Sequence, residues 1–500
     1  MTPFETLHAK LTDATHLSSA LSLLSWDQEV MMPPGGTNLR AQTIASLTGM
    51  YHEMLVGPVA DAMKAIEDAG LEKLDDFQSR NYRALRSELN RKLKLPTELV
   101  MEMSRVQSEA FSTWAAAKKD RNFSLFSPLL SEIIRLKRIE ADCYGYEGHA
   151  YDALLQTFEP GMTAARLKDI FEPFKAHLGD LLPKISSRPQ VDDGWIRQRI
   201  SADRQLEWSR AVLKALHYDL DRGRQDLSDH PFTINLNPDD VRITTMVRED
   251  DIREMLYSSI HELGHALYEQ GLPAQHFGLP AAEACSLGIH ESQSRIWENN
   301  ICRSLEFWEH FFPSFREIFP DKLHGKEPED VFRAVNKVEP GFIRISADEL
   351  TYHFHVALRF EMELAIMSRE VEVDDLPGLW NEKVKRYLGL EVRHDSEGIL
   401  QDIHWSHGSI GYFPTYSLGS FYAAQLMDTA MERIPGLPGQ FSQGDFGQMK
   451  TWLNREVHSR GRLHDSEELC TLVTGKPLDV SHFIRYAKQK FGTVYRMKLD

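Results

Sequence analysis

Apolar side chains recur every three to four residues along most of this chain, and that period commits it to helices that pack through one face. After Pro96, the residues Leu99, Met103, Val106, Ala110, Trp114 and Ala117 form one stripe, with Thr97 placed to cap the start. At Ser127-Pro128 a capping residue precedes a proline suited to a first helical turn, and Leu129, Ile133, Leu136 and Glu140 continue the pattern. Thr163 opens a third segment through Leu167, Ile170, Phe174 and Leu178. No unit of roughly 20 to 50 residues repeats and no low-complexity linker separates two composition regimes. Residues 1–500 therefore read as one large, mainly α-helical domain with room for two lobes.

The exception is 230–247, where Phe232, Ile234 and Leu236 alternate with polar residues, Asn237-Pro238-Asp239-Asp240 supplies a turn, and Val241, Ile243 and Thr245 alternate again. This pattern predicts a β-hairpin directly before residues 250–270. That stretch begins with acids, spaces Met255, Leu256, Ile260, Leu263 and Leu267 helically, and ends at Gly271 and Pro273.

Within the predicted helix lies His261-Glu262-Leu263-Gly264-His265. The i, i+4 spacing stacks both imidazoles on one face, where they can share a metal ion, and it sets Glu262 to the side, where a base for an attacking water belongs. A catalytic metal of this kind needs a third protein ligand and an open position. Residues 281–305 read as a second helix that offers Glu283, His290, Glu291 and Glu298. His290 is the chemical rival of Glu291 as ligand, and Glu298 reads as an ordinary surface acid.

Composition narrows the partners. With 74 acidic against 57 basic residues the formal charge is −17, which repels phosphate backbones and anionic lipid, so neither nucleic acid nor membrane is expected. The four cysteines show no CxxC spacing, which suits a reducing compartment. The amino-terminal segment sustains no apolar run of signal-peptide or membrane-span length. A cytoplasmic protein is expected.

Taken in order, HPF at His230 to Phe232, DxRxT at Asp240 to Thr244, HExxH at His261 to His265, HESQS at His290 to Ser294, IRxxAD at Ile343 to Asp348 and GxxQDxHW at Gly398 to Trp405 resemble the carboxypeptidase Taq type of thermostable metallocarboxypeptidases. LLSWDQEVMMPPGG at 23–36 extends the resemblance over most of the chain. It implies a helical, saddle-shaped fold with a deep groove and usually a homodimer. It also implies Glu291 as third metal ligand, Glu262 as catalytic base, and release of single carboxy-terminal residues from short peptides. One departure concerns position 295, where many zinc peptidases carry an acid four residues beyond the glutamate ligand and this chain has Arg295. The partner of the ligand histidines is then open, with Asp402 and Asp348 as candidates.

Two histidines and a carboxylate suit one divalent ion, Zn²⁺ foremost and Co²⁺ as well. Charge developing on the scissile carbonyl needs further donors. The segment 398–420 supplies His404, His407, Tyr412 and Tyr416, of which His407 and Tyr416 are preferred. Arg242 and Arg344, and His230 of the HPF motif, are candidates for substrate contact, since a guanidinium can grip a free carboxylate with two hydrogen bonds. His353 and His355 cannot share a metal face and are read as structural. The competing readings are an oligopeptidase or dipeptidyl carboxypeptidase with the same site, and a helical scaffold with a structural metal. A structural metal would take four protein ligands.

Overall fold

The computed structural model describes residues 1–499, and they are helical nearly throughout, with one small three-stranded sheet. The elements that position the site are α1 (Pro3–Val30), α2 (Thr97–Asp120), α3 (Ser127–Tyr144), α4 (Ala164–Ser186), α5 (Ile252–Gly271), α6 (Leu287–Arg295), α7 (Tyr352–Met367) and α8 (Pro414–Arg433). The strands are β1 (Gln225–Leu227), β2 (Thr233–Asn237) and β3 (Asp240–Thr245).

The amphipathic stripes fold as expected: Leu99, Val106, Ala110 and Ala117 of α2 and Leu167, Ile170, Phe174 and Leu178 of α4 are all buried. Thr163 caps α4 by accepting from the Arg166 amide at 3.2 Å. Thr97, by contrast, is the first residue of α2 and not its cap, because Pro96 already fixes the chain there. The helix α5 is buried on nearly every side, through Met255, Leu256, Ile260, Leu263 and Leu267, as a helix in the middle of a large core must be. Full burial of Leu263 and Leu267 stabilises the fold by roughly 1.5–3 kcal/mol each relative to exposure. A smaller core joins Phe4, Leu7 and Leu11 of α1 to Leu55, Leu85 and Leu279.

The hairpin forms where alternation predicts it, β2 pairing antiparallel with β3 and Ile234 lying opposite Arg242. Strand β1 adds in parallel on the far side of β3, so β2 is left as an edge. Residues 281–305 are not one helix. A short turn at Pro280–Ala282 precedes an extended link through Glu283, α6 starts at Leu287 on a Ser286 cap, and Ile296–Ile301 widens into a π-helical turn. Glu283 accordingly faces outward and pairs with Arg462 at 2.5 Å. Among the described residues no helix is long and apolar enough to cross a membrane.

Candidate metal centre

Asp251 opens α5 by accepting from the Arg253 amide at 3.1 Å, and the helix then carries His261 and His265 on one face. What brings the third group to them is a lack of side chains at the crossing. A Cβ on Gly264 would stand 2.4 Å from the Ser294 Cα, so α5 and α6 meet almost backbone to backbone. Glu291 on α6 thereby places Oε2 3.5 Å from His261 Nε2 and 3.4 Å from His265 Nε2. A tetrahedral ion with bonds of about 2.1 Å has ligand-to-ligand edges of about 3.4 Å, so the glutamate already stands at coordination distance from both imidazoles. The three ligand atoms all lie within 4.8 Å of one another. Two imidazoles and one carboxylate leave a coordination position for water or substrate, which is the donor set of a reactive and not a purely structural centre.

Each of the two histidines is held from its other ring nitrogen. His261 Nδ1 lies 2.9 Å from Glu298 Oε2, and Glu298 also accepts from Arg295 at 3.3 Å and Arg303 at 3.1 Å. Glu298 is therefore no surface acid: it is buried in the π-helical turn and takes the part that the arginine at position 295 left open. Asp402 and Asp348 do not take it. Asp402 is held by Arg344 and Arg359, and Asp348 accepts from the amides of Leu350 and Thr351 before α7. Arg295 lies between the two glutamates, donating to Glu291 Oε1 at 2.7 Å. His265 Nδ1 meets His290 Nδ1 at 2.5 Å, and His290 Nε2 meets Glu269 Oε1 at 2.7 Å.

These neighbours set the charges. Burial disfavours a charged His261, but Glu291 and Glu298 outweigh it and lift the imidazole to about 9. Burial and the adjacent His290 hold His265 down to about 3. Burial works against the Glu291 carboxylate too, yet Arg295 and the histidines keep it well below the usual range, so it stays ionised and ready to ligate.

Glu262 is buried beside the ligands, and Thr233 Oγ1 of β2 lies 2.7 Å from its Oε2 and 2.9 Å from its backbone carbonyl oxygen. Burial raises its carboxyl above the ordinary value. Tyr352, Tyr412 and Tyr416 gather near the centre; burial raises all three, and the Glu291 charge adds to it, so the phenols keep their protons. His404 Nε2 lies 3.3 Å from the Tyr416 hydroxyl and is held down to about 4 by burial. His407 is exposed and stacks on Phe111 of α2, ring centroids 5.6 Å apart, so it is His404 that the fold joins to Tyr416. His353 and His355 are buried, bonded to Ser417 Oγ at 2.9 Å and the Gly341 carbonyl at 3.1 Å.

Arg344 is buried with its guanidinium 4.8 Å from the Tyr416 ring, donating to Asp402 at 2.9 Å and to the Tyr352 hydroxyl at 3.3 Å. Arg242 instead lies over Trp26 of α1 at 4.4 Å and is neutralised by Asp240 at 2.7 Å. His230 is exposed just before β2, its carbonyl accepting from Ser228. Sequence reasoning passed over Thr233, Glu269 and Tyr352. Of these only Glu269 left a signal, one turn beyond His265 on the same face.

Residues 6–491 match the family described as Carboxypeptidase Taq (M32) metallopeptidase. Carboxypeptidase 1 of Bacillus subtilis (strain 168) is 37% identical over 485 residues, covering 96% of each chain. Thermostable carboxypeptidase 1 of Thermus thermophilus is 37% identical over 496 residues, 97% of each. The crystal structure of the M32 carboxypeptidase from Deinococcus radiodurans R1 superposes with a TM-score of 0.97 at 34% identity, covering 99% of this chain and 100% of that one.

Proposed function

Because this chain belongs to the carboxypeptidase Taq (M32) metallopeptidase family, we propose that it releases single carboxy-terminal residues from short peptides, with His261, His265 and Glu291 as metal ligands and Glu262 as general base. The observation that carries this reading is the approach of Glu291 to both imidazoles at tetrahedral-edge distance with a buried glutamate alongside. A divalent ion held there would polarise the scissile carbonyl and lower the pKa of water from about 15.7 toward 7. Zn²⁺ suits the donor set, and Co²⁺ suits it equally.

The chain's own groups do the rest. Ionised Glu262 accepts the proton of the attacking water at its carboxylate and later delivers it to the leaving amine. Thr233 fits both states: its hydroxyl donates to Oε2 of the ionised form, and it accepts from the protonated form while turning its own proton to the Glu262 carbonyl. Tyr416, bonded to His404, is the donor assigned to charge developing on the carbonyl oxygen, with Tyr412 beside it. β2 is an edge strand next to Glu262; Ser19 of α1 already donates to its Leu236 carbonyl, so an extended substrate backbone would pair toward the Thr233 end.

Restriction to the chain end follows from charge. Arg344 and Arg359 share the carboxylate of Asp402, so these three groups together carry a positive charge near Tyr416. A substrate's terminal carboxylate would neutralise it, whereas Arg242 has no charge to spare. The same reading makes the protein a homodimer in a reducing cytoplasm, consistent with four cysteines that are all free.

The test is to strip the metal, restore it as Zn²⁺ or Co²⁺, and follow by mass spectrometry what blocked peptides lose. Release of single terminal residues only from metal-loaded protein is expected. Dipeptides or internal fragments would transfer the site to the oligopeptidase reading, and full activity without metal would sink both.

A further inference from the structure

The metal helix is gripped from outside by one face of one strand. Thr233 and Asn235 stand two residues apart on β2, so their side chains point the same way. Their partners on α5 are Glu262 and Glu269, seven residues apart and so two turns along one helix face. Thr233 reaches the first glutamate and the Asn235 amide donates to Oε2 of the second.

The donors and acceptors beyond Asn235 run in one direction. If His265 offers Nε2 to the metal, on the side that faces Glu291, its proton sits on Nδ1 and points at His290 Nδ1, 2.5 Å away. His290 then accepts at Nδ1 and carries its own proton on Nε2, which points at Glu269 Oε1, 2.7 Å away. Glu269 closes the sequence with its other oxygen on Asn235. Every group has one consistent tautomer, and none is left with two protons or two lone pairs facing each other. His261 gets the same service from Glu298 in a single step, so the two ligands are steered by different elements: one by the π-helical turn, the other by the sheet.

We propose that Asn235 of β2 is a positioning residue for the metal centre, acting through Glu269 and His290 to fix the tautomer and aim of His265. This rests on the metal-centre reading above. The same strand holds the base through Thr233, so β2 orients a ligand and the general base together. Of this relay only His265 belongs to the proposed ligand set.

The experiment compares Asn235→Ala, Glu269→Gln and Thr233→Val with the wild-type holoprotein. Zn²⁺ affinity is measured by chelator competition, and the visible absorption bands are recorded after loading with Co²⁺. Asn235→Ala and Glu269→Gln should each weaken Zn²⁺ binding about 10- to 100-fold and shift the Co²⁺ bands, because the ligand they steer is loosened. The double variant should lose no more than the worse single one. Thr233→Val should bind Zn²⁺ as the wild type does with unshifted bands, and should lose kcat with KM unchanged, a loss that Thr233→Ser restores. Glu269→Gln keeps the side chain's size, so it reports even if Asn235→Ala folds poorly. Native affinity and native Co²⁺ bands in Glu269→Gln would overturn the proposal. His261→Ala separates the two failures: if it too binds Zn²⁺ like the wild type, it is the metal-centre reading that has failed.

Discussion

Gly419 of α8 lies so close to Glu291 of α6 that a Cβ there would stand 2.3 Å from the Glu291 Cγ. No group of Gly419 can bind a metal, yet its missing side chain decides where the Glu291 stem lies, between α8 on one side and the imidazoles on the other. Gly419→Ala should therefore displace Glu291, destabilise the fold by about 1–3 kcal/mol through overpacking, and lower metal affinity without altering any ligand. Calorimetry and metal analysis check it; a variant that keeps full metal occupancy at limiting Zn²⁺ would show that α8 yields.

Glu298 offers a cleaner substitution, since Glu298→Gln keeps volume and one acceptor but removes the charge that holds His261 Nδ1 and offsets Arg295 and Arg303. Metal affinity should fall about 10- to 100-fold, with the shape of the substrate preference preserved. Chelator competition measures the first and peptide profiling the second. Affinity equal to the wild type's would return Glu298 to a purely structural role.

How much of this centre was legible beforehand depended on how local each contact is. The i, i+4 pair His261 and His265 needs only helix geometry, and the hairpin needs only alternation, so both could be read from residues 230–270. Glu298 could not be, because it reaches His261 only after the helix widens into a π turn, which no residue pattern at 296–301 announces. Thr233 and Asn235 looked like the polar half of an alternating strand, and their purpose appears only once β2 is laid along α5. The pairing of Arg344 and Arg359 on Asp402 joins positions far apart in the chain, and charge counted along the sequence cannot reveal a local surplus. Strand β1 escaped because three residues are too few for a periodic signal.

Glu363 of α7 accepts from the Tyr151 hydroxyl at 2.9 Å, Trp405 Nε1 at 2.9 Å and the Gly411 amide at 3.0 Å, bracing the loop that carries His404. Burial pushes its carboxyl up to about 7 against these donors. The folded chain then holds this proton more tightly than the unfolded chain does. The contribution to stability is fully present below the unfolded value near 4.5 and is lost as pH rises through about 7, on the order of 3 kcal/mol in all. Glu363→Gln removes the ionisation; the Tyr151 hydroxyl can rotate to accept the new amide N–H, but the Gly411 amide, which shares that oxygen, loses its acceptor, so the variant should also be less stable at every pH. Urea unfolding across pH 5 to 8 should show a slope for the wild type that is reduced in the variant; identical slopes would contradict the assignment.

Arg344 is the residue on which exopeptidase specificity should turn. Its guanidinium and that of Arg359 share Asp402, so the three groups together are positive beside Tyr416, while the −17 chain as a whole repels an anionic terminus. Arg344→Lys keeps a charge but loses the planar fork, and kcat/KM on free-acid peptides should fall by about 1–3 kcal/mol with metal content unchanged. Amidating the substrate's carboxy terminus should cost the wild type a similar amount. The two losses should not add, because each removes the same contact. Arg242→Lys is the matched comparison: Asp240 already balances that arginine and Trp26 covers it, so the preference for free acids should persist. If the Arg344 variant still discriminates free acid from amide as the wild type does, the terminal carboxylate is read elsewhere. If amidated peptides are cut as fast as free acids by the wild type itself, the groove does not read the terminus, and the oligopeptidase reading takes precedence.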